Sequence, residues 1–321
     1  MSPDTRIYVA GHRGLVGSAL VRALLDRGFS NLVVRTRDEL DLMNQRAVEA
    51  FFADARPQVV VMAAAKVGGI LANQTYPAEF IYENLAIQNN VLHESWRAGV
   101  QRLLFLGSSC IYPRDCPQPI REEYVMTGPL EPSNRPYAMA KLAGLEMCWA
   151  YNRQYETRYI CAMPTNLYGP GDNYDLQTSH VLPALIRRFH NAKVQGDQSV
   201  TLWGTGSPRR EFMYIDDMAQ ACLRLLNCSA AEIDALFPRD SAPLINIGSG
   251  EDSTIREIAE LVRDVIGSDA EIRWDHSRPD GTPRKLLDIS RLKSLGWTQV
   301  TGLRDGIALA HRDFSSNAVR Q

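Results

Sequence analysis

Residues 6–25 read "RIYVAGHRGLVGSALVRALL": a short apolar run, three glycines spaced three apart, then an amphipathic stretch. The run "RIYVAG" has the continuous apolar character of a strand buried on both faces, and the residues from Leu15 onward recur at helical spacing. Gly11, Gly14 and Gly17 therefore fall in a strand-to-helix turn and at the start of the helix. Glycines there permit a tight turn and the close approach of a pyrophosphate, whose charge is favoured at the helix N-terminus. Strand, turn and helix in this order predict a dinucleotide site.

The same alternation continues through "NLVVRT", "NQRAVEAFFADA", "VVVMAAA", "AIQNNVLHESWRAG", "VQRLLFLGSS", "AKLAGLEMCWAYNRQY" and "YICAMPTNLYG". Buried strands separated by helices predict an α/β fold, a Rossmann-type doubly wound parallel sheet. After "YGPGDNY" glycine, proline and asparagine cluster and the texture changes, so a smaller C-terminal α/β substrate lobe is expected. The expected division is a cofactor-binding domain over 1–170, with returns near 211–228 and 243–250, and a substrate lobe over 171–321.

The balance of 35 basic against 37 acidic residues, net −2, lacks the broad positive field that nonspecific nucleic-acid binding needs. No apolar run approaches the length of a membrane span, and the first residues lead into a strand without a basic-then-apolar leader, so a cytoplasmic protein with no membrane partner is expected. Six scattered cysteines, without a CxxC pair or a histidine cluster at ligand spacing, predict neither a disulfide framework nor a metal site.

The second strand selects the cofactor. An acidic residue at its end would bind the ribose hydroxyls of NAD; here "NLVVRTRDEL" ends in Arg35 and Arg37, with Arg13 inside the glycine turn, and guanidinium groups suit the 2′-phosphate of NADP(H). Downstream, Tyr137 and Lys141 form YxxxK at a predicted helix start. That spacing places phenol and ammonium on one face, where the cation is expected to lower the phenol pKa for proton transfer at a carbonyl oxygen. In "LGSSCIYP", Ser108 stands at a predicted strand end and Cys110 two residues on, which on an extended strand aims both side chains to one side. Taken alone, Cys110 reads as packing.

GxxGxxG, Ser108 and YxxxK in this order resemble the extended short-chain dehydrogenase/reductases. "AAAKVGGI", "SSCIYP", "PTNLYGPGDNYDLQTSHVLPALIRRFH", "REFMYIDDMA" and "RPDGTPRKLLD" narrow the resemblance to the GDP-L-fucose synthase family, NADPH-dependent 3,5-epimerase/4-reductases of GDP-4-keto-6-deoxy-D-mannose. The resemblance implies that Cys110 and His180 are the epimerisation pair and that Ser108, Tyr137 and Lys141 serve the reduction. It implies that NADP(H) is held by Gly11, His12, Arg13, Gly14, Leu15, Val16 and Gly17, by Arg37 and Asp41, by Leu106, Gly107 and Ser109, by Lys141, by Pro164, Thr165, Asn166 and Leu167, and by His180. For the GDP-sugar it implies Arg188, Trp203, Arg210 and Asp280, with Lys285 a weaker candidate. Arg187 beside Arg188 and Arg209 beside Arg210 leave a one-residue ambiguity in each. A homodimer through a helix bundle beside the YxxxK helix is implied as well.

Two readings from other classes compete, and a third lies closer. A redox-sensing binding module would need no Ser108 or YxxxK. A 4-epimerase or dehydratase would share serine, tyrosine and lysine without the Cys110/His180 pair; a dehydratase commonly carries an acid pair where Ser109 and Cys110 stand. A relative acting on a 3,6-dideoxy sugar of the GDP-colitose type shares the local motifs.

Overall fold

The computed structural model describes residues 1–176, 178–278 and 280–318. The last three residues assigned to the substrate lobe thus lie outside the described residues. Strands β1 (Ile7–Ala10), β2 (Leu32–Val33), β3 (Val59–Met62), β4 (Arg102–Leu106), β5 (Arg158–Pro164) and β9 (Leu244–Ile247) form a parallel sheet in the order β2-β1-β3-β4-β5-β9. Runs such as "IYVA" and "VVVM" are buried at every position, because helices cover both faces. Helix α1 (Leu15–Asp26) packs with α7 (Ile215–Leu226), while α2 (Gln45–Ala55) and α5 (Arg135–Tyr155) pack on α4 (Pro77–Arg97).

The chain leaves β1 to one side for β2 and returns on the other as β3, so the crevice at the C-terminal strand ends opens beside the glycine turn. Two strand ends fall short of expectation. β2 stops at Val33, leaving Arg35 and Arg37 in the loop beyond it, and β4 stops at Leu106 because Ser109–Ile111 wind into a 3₁₀ turn.

A second sheet joins β6 (Asn166–Tyr168), β8 (Arg209–Tyr214), β10 (Asp252–Thr254) and β12 (Arg284–Lys285), and β7 (Ser199–Trp203) pairs in parallel with β11 (Glu271–Asp275). Helices α6 (Val181–Gln195), α9 (Ile255–Ile266) and α11 (Leu303–Ala318) close a separate core around Tyr168, Leu182, Phe189, Val262 and Ile307. Of the two expected returns, α7 and β9 pack with the parallel sheet, whereas Arg209–Tyr214 belongs to the second sheet.

The lobes are welded by Glu211, fully buried, whose carboxylate accepts from the backbone N–H of Gly250 (2.7 Å) and of Leu287 (3.0 Å). Gly248 must be glycine here, since a Cβ would lie 2.3 Å from a Glu211 oxygen.

Candidate active site

The glycine turn is built by close backbone approach. Gly11 has φ +81 and a Cβ there would sit 2.7 Å from Ala64; a Cβ on Gly17 would meet the Gly11 carbonyl oxygen at 2.2 Å. Gly14 is the N-cap of α1, supplies no side chain to its N–H groups, and no acidic residue stands in the first turn. That helix end keeps donors for an anion.

Beyond β2, Arg35 lies with its guanidinium 5.6 Å from the Phe51 ring centroid and donates to the Val34 carbonyl (2.8 Å). Arg37 is exposed, lines the same cleft and has no hydrogen bond or ion pair among the described residues. Its guanidinium is free of protein partners among those residues, while that of Arg35, in the same cleft, is partly engaged.

This cleft, about 1470 Å³, runs from the glycine turn across the strand ends to the second sheet. Its size exceeds the roughly 300–1,000 Å³ of a single small-molecule pocket and suits two nucleotide-sized ligands. The cleft is lined by Gly11, Gly14, Leu15, Val16, Gly17, Asp41, Gly107, Ser109 and the run Pro164 to Leu167; by Ser108, Cys110, Tyr137 and His180; and by Arg188, Trp203, Arg210, Asp280 and Lys285.

Four residues expected to touch cofactor do not line it. Leu106 and Lys141 are buried behind the wall, where Lys141 Nζ donates to the Leu106 carbonyl (2.7 Å); Arg13 is exposed outside it, and His12 is half-buried with Nδ1 unpaired.

Both arginine ambiguities resolve through periodicity. Arg187 donates to the Tyr174 carbonyl (3.0 Å), away from the cleft, and leaves it to Arg188. On β8, neighbours face opposite ways: Arg209 pairs with Asp252 (3.0 Å), and Arg210 enters the cleft. Asp280 lines the cleft with its carboxylate already engaged by Thr205, through its N–H (3.0 Å) and hydroxyl (2.7 Å), so it braces the turn after Trp203.

Ser108 is extended and caps the 3₁₀ turn; the Cys110 N–H donates to its hydroxyl at 3.4 Å. Strand alternation is therefore not what brings Ser108 and Cys110 to one cleft; the turn does. Burial pushes the Cys110 thiol up, opposed by Lys285, the Ser108 hydroxyl and Lys141. His180 opens α6 as its N-cap, without a side-chain capping bond. Its ring is accessible from the cleft, yet the enclosing wall holds its pKa below the ordinary histidine value.

Tyr137 lies in the first turn of α5, one turn before Lys141. The expected lowering of the phenol pKa does not occur. Burial pushes Tyr137 well up, with Cys110 adding to it, while Lys141, its ammonium turned to Leu106, is itself brought down to about 8 by burial. Tyr137 is thus a neutral phenol near pH 7, the state in which it can donate a proton.

Sequence reasoning missed a set of polar groups that the fold leaves unpaired. Asn73, Asn134, Asp172 and Ser179 each line the cleft with one buried oxygen lacking a partner. Burial pushes Asp172 up to about 7. Buried polar atoms are seldom left so, and their concentration in one cleft fits a polar ligand there.

This cleft and fold define a nucleotide-sugar enzyme of the short-chain dehydrogenase/reductase type, and the profile of the NAD dependent epimerase/dehydratase family matches residues 7–235, so the chain belongs to that family. It is 54% identical over 314 residues to GDP-L-fucose synthase 1 of Arabidopsis thaliana, covering 98% of this chain and 94% of that one. It is 50% identical over 315 residues to GDP-L-fucose synthase of Escherichia coli K12, covering 98% of each. A solved GDP-D-glycero-L-gluco-heptose synthase from Campylobacter jejuni, in the presence of NADPH, superimposes with a TM-score of 0.91 at 38% identity, covering 98% of this chain and 99% of that one.

Proposed function

We propose that this chain is a bifunctional NADPH-dependent enzyme that epimerises C3 and C5 and reduces C4 of GDP-4-keto-6-deoxy-D-mannose, giving GDP-L-fucose. The observation that carries this reading is the meeting of a thiol and an imidazole, Cys110 and His180, with Ser108 and Tyr137 in one cleft, in a chain half identical to GDP-L-fucose synthases.

The C4 ketone acidifies the hydrogens on C3 and C5. Cys110 takes the proton from one face, an enolate forms, and His180 returns a proton from the other, inverting the centre. The glycine turn, the open N-terminus of α1 and Arg37 fit a dinucleotide carrying a 2′-phosphate, which when bound supplies the hydride for C4. Ser108 hydrogen-bonds the C4 oxygen, Tyr137 protonates it, and Lys141 steadies that wall from behind through Leu106. Arg188 and Arg210 supply cations for the diphosphate, with Lys285 a weaker candidate for it and Trp203 offering an exposed indole.

The same reading includes a homodimer across the outer faces of α4 and α5, where Tyr82 and Met139 are exposed, and a cytoplasmic place, which six free cysteines suit. Incubation with the keto sugar nucleotide and NADPH, read by NMR, should give GDP-L-fucose with one NADPH oxidised per product. Product of unchanged configuration at C3 and C5, or no net NADPH oxidation, would overturn it.

Cofactor preference is a separate test. Arg37→Ala is expected to raise KM for NADPH about tenfold or more, the worth of one hydrogen bond to a charged group, and to leave NADH nearly untouched. Equal catalytic efficiency with both cofactors in the unmutated protein would refute the assignment of Arg37 to the 2′-phosphate.

A further inference from the structure

A thiol that removes a carbon-bound proton acts as thiolate, and burial at Cys110 opposes that form. Something in the cleft must favour the negative sulfur. Lys141 is committed to the Leu106 carbonyl (2.7 Å), and Arg210 to the Arg209 carbonyl (2.8 Å) with Asp280 nearby. Lys285 differs: its ammonium has no hydrogen bond or ion pair among the described residues, it is half-buried, and it lines the same cleft as Cys110.

Its strand is stitched to the loop that follows the thiol. The Ile120 N–H donates to the Leu286 carbonyl (2.7 Å), the Asp288 N–H to the Ile120 carbonyl (2.8 Å), and the Leu286 N–H to Gln118 Oε1 (2.8 Å). Asn246 ties the arrangement from beneath: its side chain donates to the carbonyls of Ile120 (2.9 Å) and Asp288 (3.1 Å) and accepts from the hydroxyl of Tyr112 (2.6 Å), two residues past Cys110. β12 is thereby held against the Cys110 loop rather than only against β8, where Lys285 sits beside Arg210.

We propose that Lys285 stabilises the minor thiolate form through which Cys110 acts, as a positioning residue for the epimerisation half of the reaction; this rests on the function proposed above. The groups that act electrostatically on the sulfur are Lys285, Ser108 and Lys141, with the buried phenol of Tyr137 raised by Cys110 in turn; burial lowers the Lys285 ammonium, and Cys110, Arg210, Cys116 and Glu131 act on it besides. Glu131 is drawn off by Arg114 (3.6 Å) and by the Ser133 hydroxyl (3.1 Å), so the thiolate is the partner that Lys285 has left.

Removing the charge should raise the midpoint of Cys110 ionisation by about one pH unit or more, the usual effect of a neighbouring opposite charge. The test is an ultraviolet titration of the thiolate in ligand-free protein, as the difference from Cys110→Ser, for Lys285→Met, Lys285→Gln and Lys285→Arg. Met and Gln should move the midpoint up, and Arg should restore it. Solvent-deuterium exchange into the keto sugar should fall about tenfold near neutral pH in the first two variants, with its alkaline limb displaced upward by the same shift in midpoint.

A midpoint and limb unmoved in whichever neutral variant folds, with only KM for the sugar nucleotide raised, would overturn the proposal and leave Lys285 as a diphosphate ligand. The thiol titration needs no sugar, so a protein that made no GDP-L-fucose could still pass it, and the two failures stay distinct.

Discussion

Tyr137→Phe is expected to reduce NADPH oxidation by about 10²- to 10⁴-fold, the usual worth of a positioned acid, while solvent deuterium still enters C3 and C5 of the keto sugar. The phenylalanine keeps the ring, which packs edge-on against Phe80 at 6.2 Å, and removes only the hydroxyl. The C4 oxygen then develops its charge without a proton donor, whereas proton removal at C3 and C5 needs only the ketone, Cys110 and His180. Because burial holds both Tyr137 and Cys110 against ionisation, losing the neutral phenol removes no charge that the thiol depends on. The expected signature is a keto sugar deuterated at both carbons and little reduced. Loss of exchange in step with reduction would mean that Tyr137 also serves the epimerisation, and the division of labour would fall.

How far the sequence carries depends on the range of the physics. The glycine turn was legible because its demands are local: Gly11 and Gly17 meet neighbouring backbone, and an open N-terminus of α1 follows from the absence of a capping side chain at Gly14. The parallel sheet was legible for a similar reason, since burial on both faces writes itself as an uninterrupted apolar run. What failed was geometry one step beyond the element. Ser108 and Cys110 read as neighbours on a strand, but β4 ends at Leu106 and a 3₁₀ turn does the aiming. The choice between Arg187 and Arg188 depends on helix phase against a core formed by distant chain, and so was open to sequence only as an ambiguity.

Acidity was the least legible property. YxxxK places Lys141 one turn from Tyr137, yet the ammonium turns to Leu106, and burial, which no local pattern encodes, moves both groups away from the charged form. Asp172 makes the same point. In "GPGDNY" it reads as a turn residue, and only the folded chain gives it an unpaired buried oxygen and a pKa of about 7.

Cys110→Ser is expected to abolish deuterium exchange and to leave no fucose-configured product, because a hydroxyl is far too weak an acid to supply the base that a thiol near pKa ~8.5 can supply. The pH dependence of the unmutated enzyme sharpens the reason. Exchange needs Cys110 without its proton and His180 with one. Below the histidine pKa both are protonated and the base is missing; above the thiol pKa both are deprotonated and the acid is missing. Between these limits the pair carries one proton, and a fixed fraction of it is the thiolate–imidazolium form. Burial lowers His180 and raises Cys110, so exchange should show a broad plateau through neutrality with limbs pushed apart. In the serine variant the plateau should vanish at every accessible pH, while some hydride transfer to the unepimerised ketone remains and gives a 6-deoxyhexose of unchanged C3 and C5 configuration. That residual reduction shows the fold and the Tyr137 part of the cleft to be intact. A serine variant that exchanged deuterium at the unmutated rate would return Cys110 to the role its burial alone suggests, a small side chain filling the turn after β4.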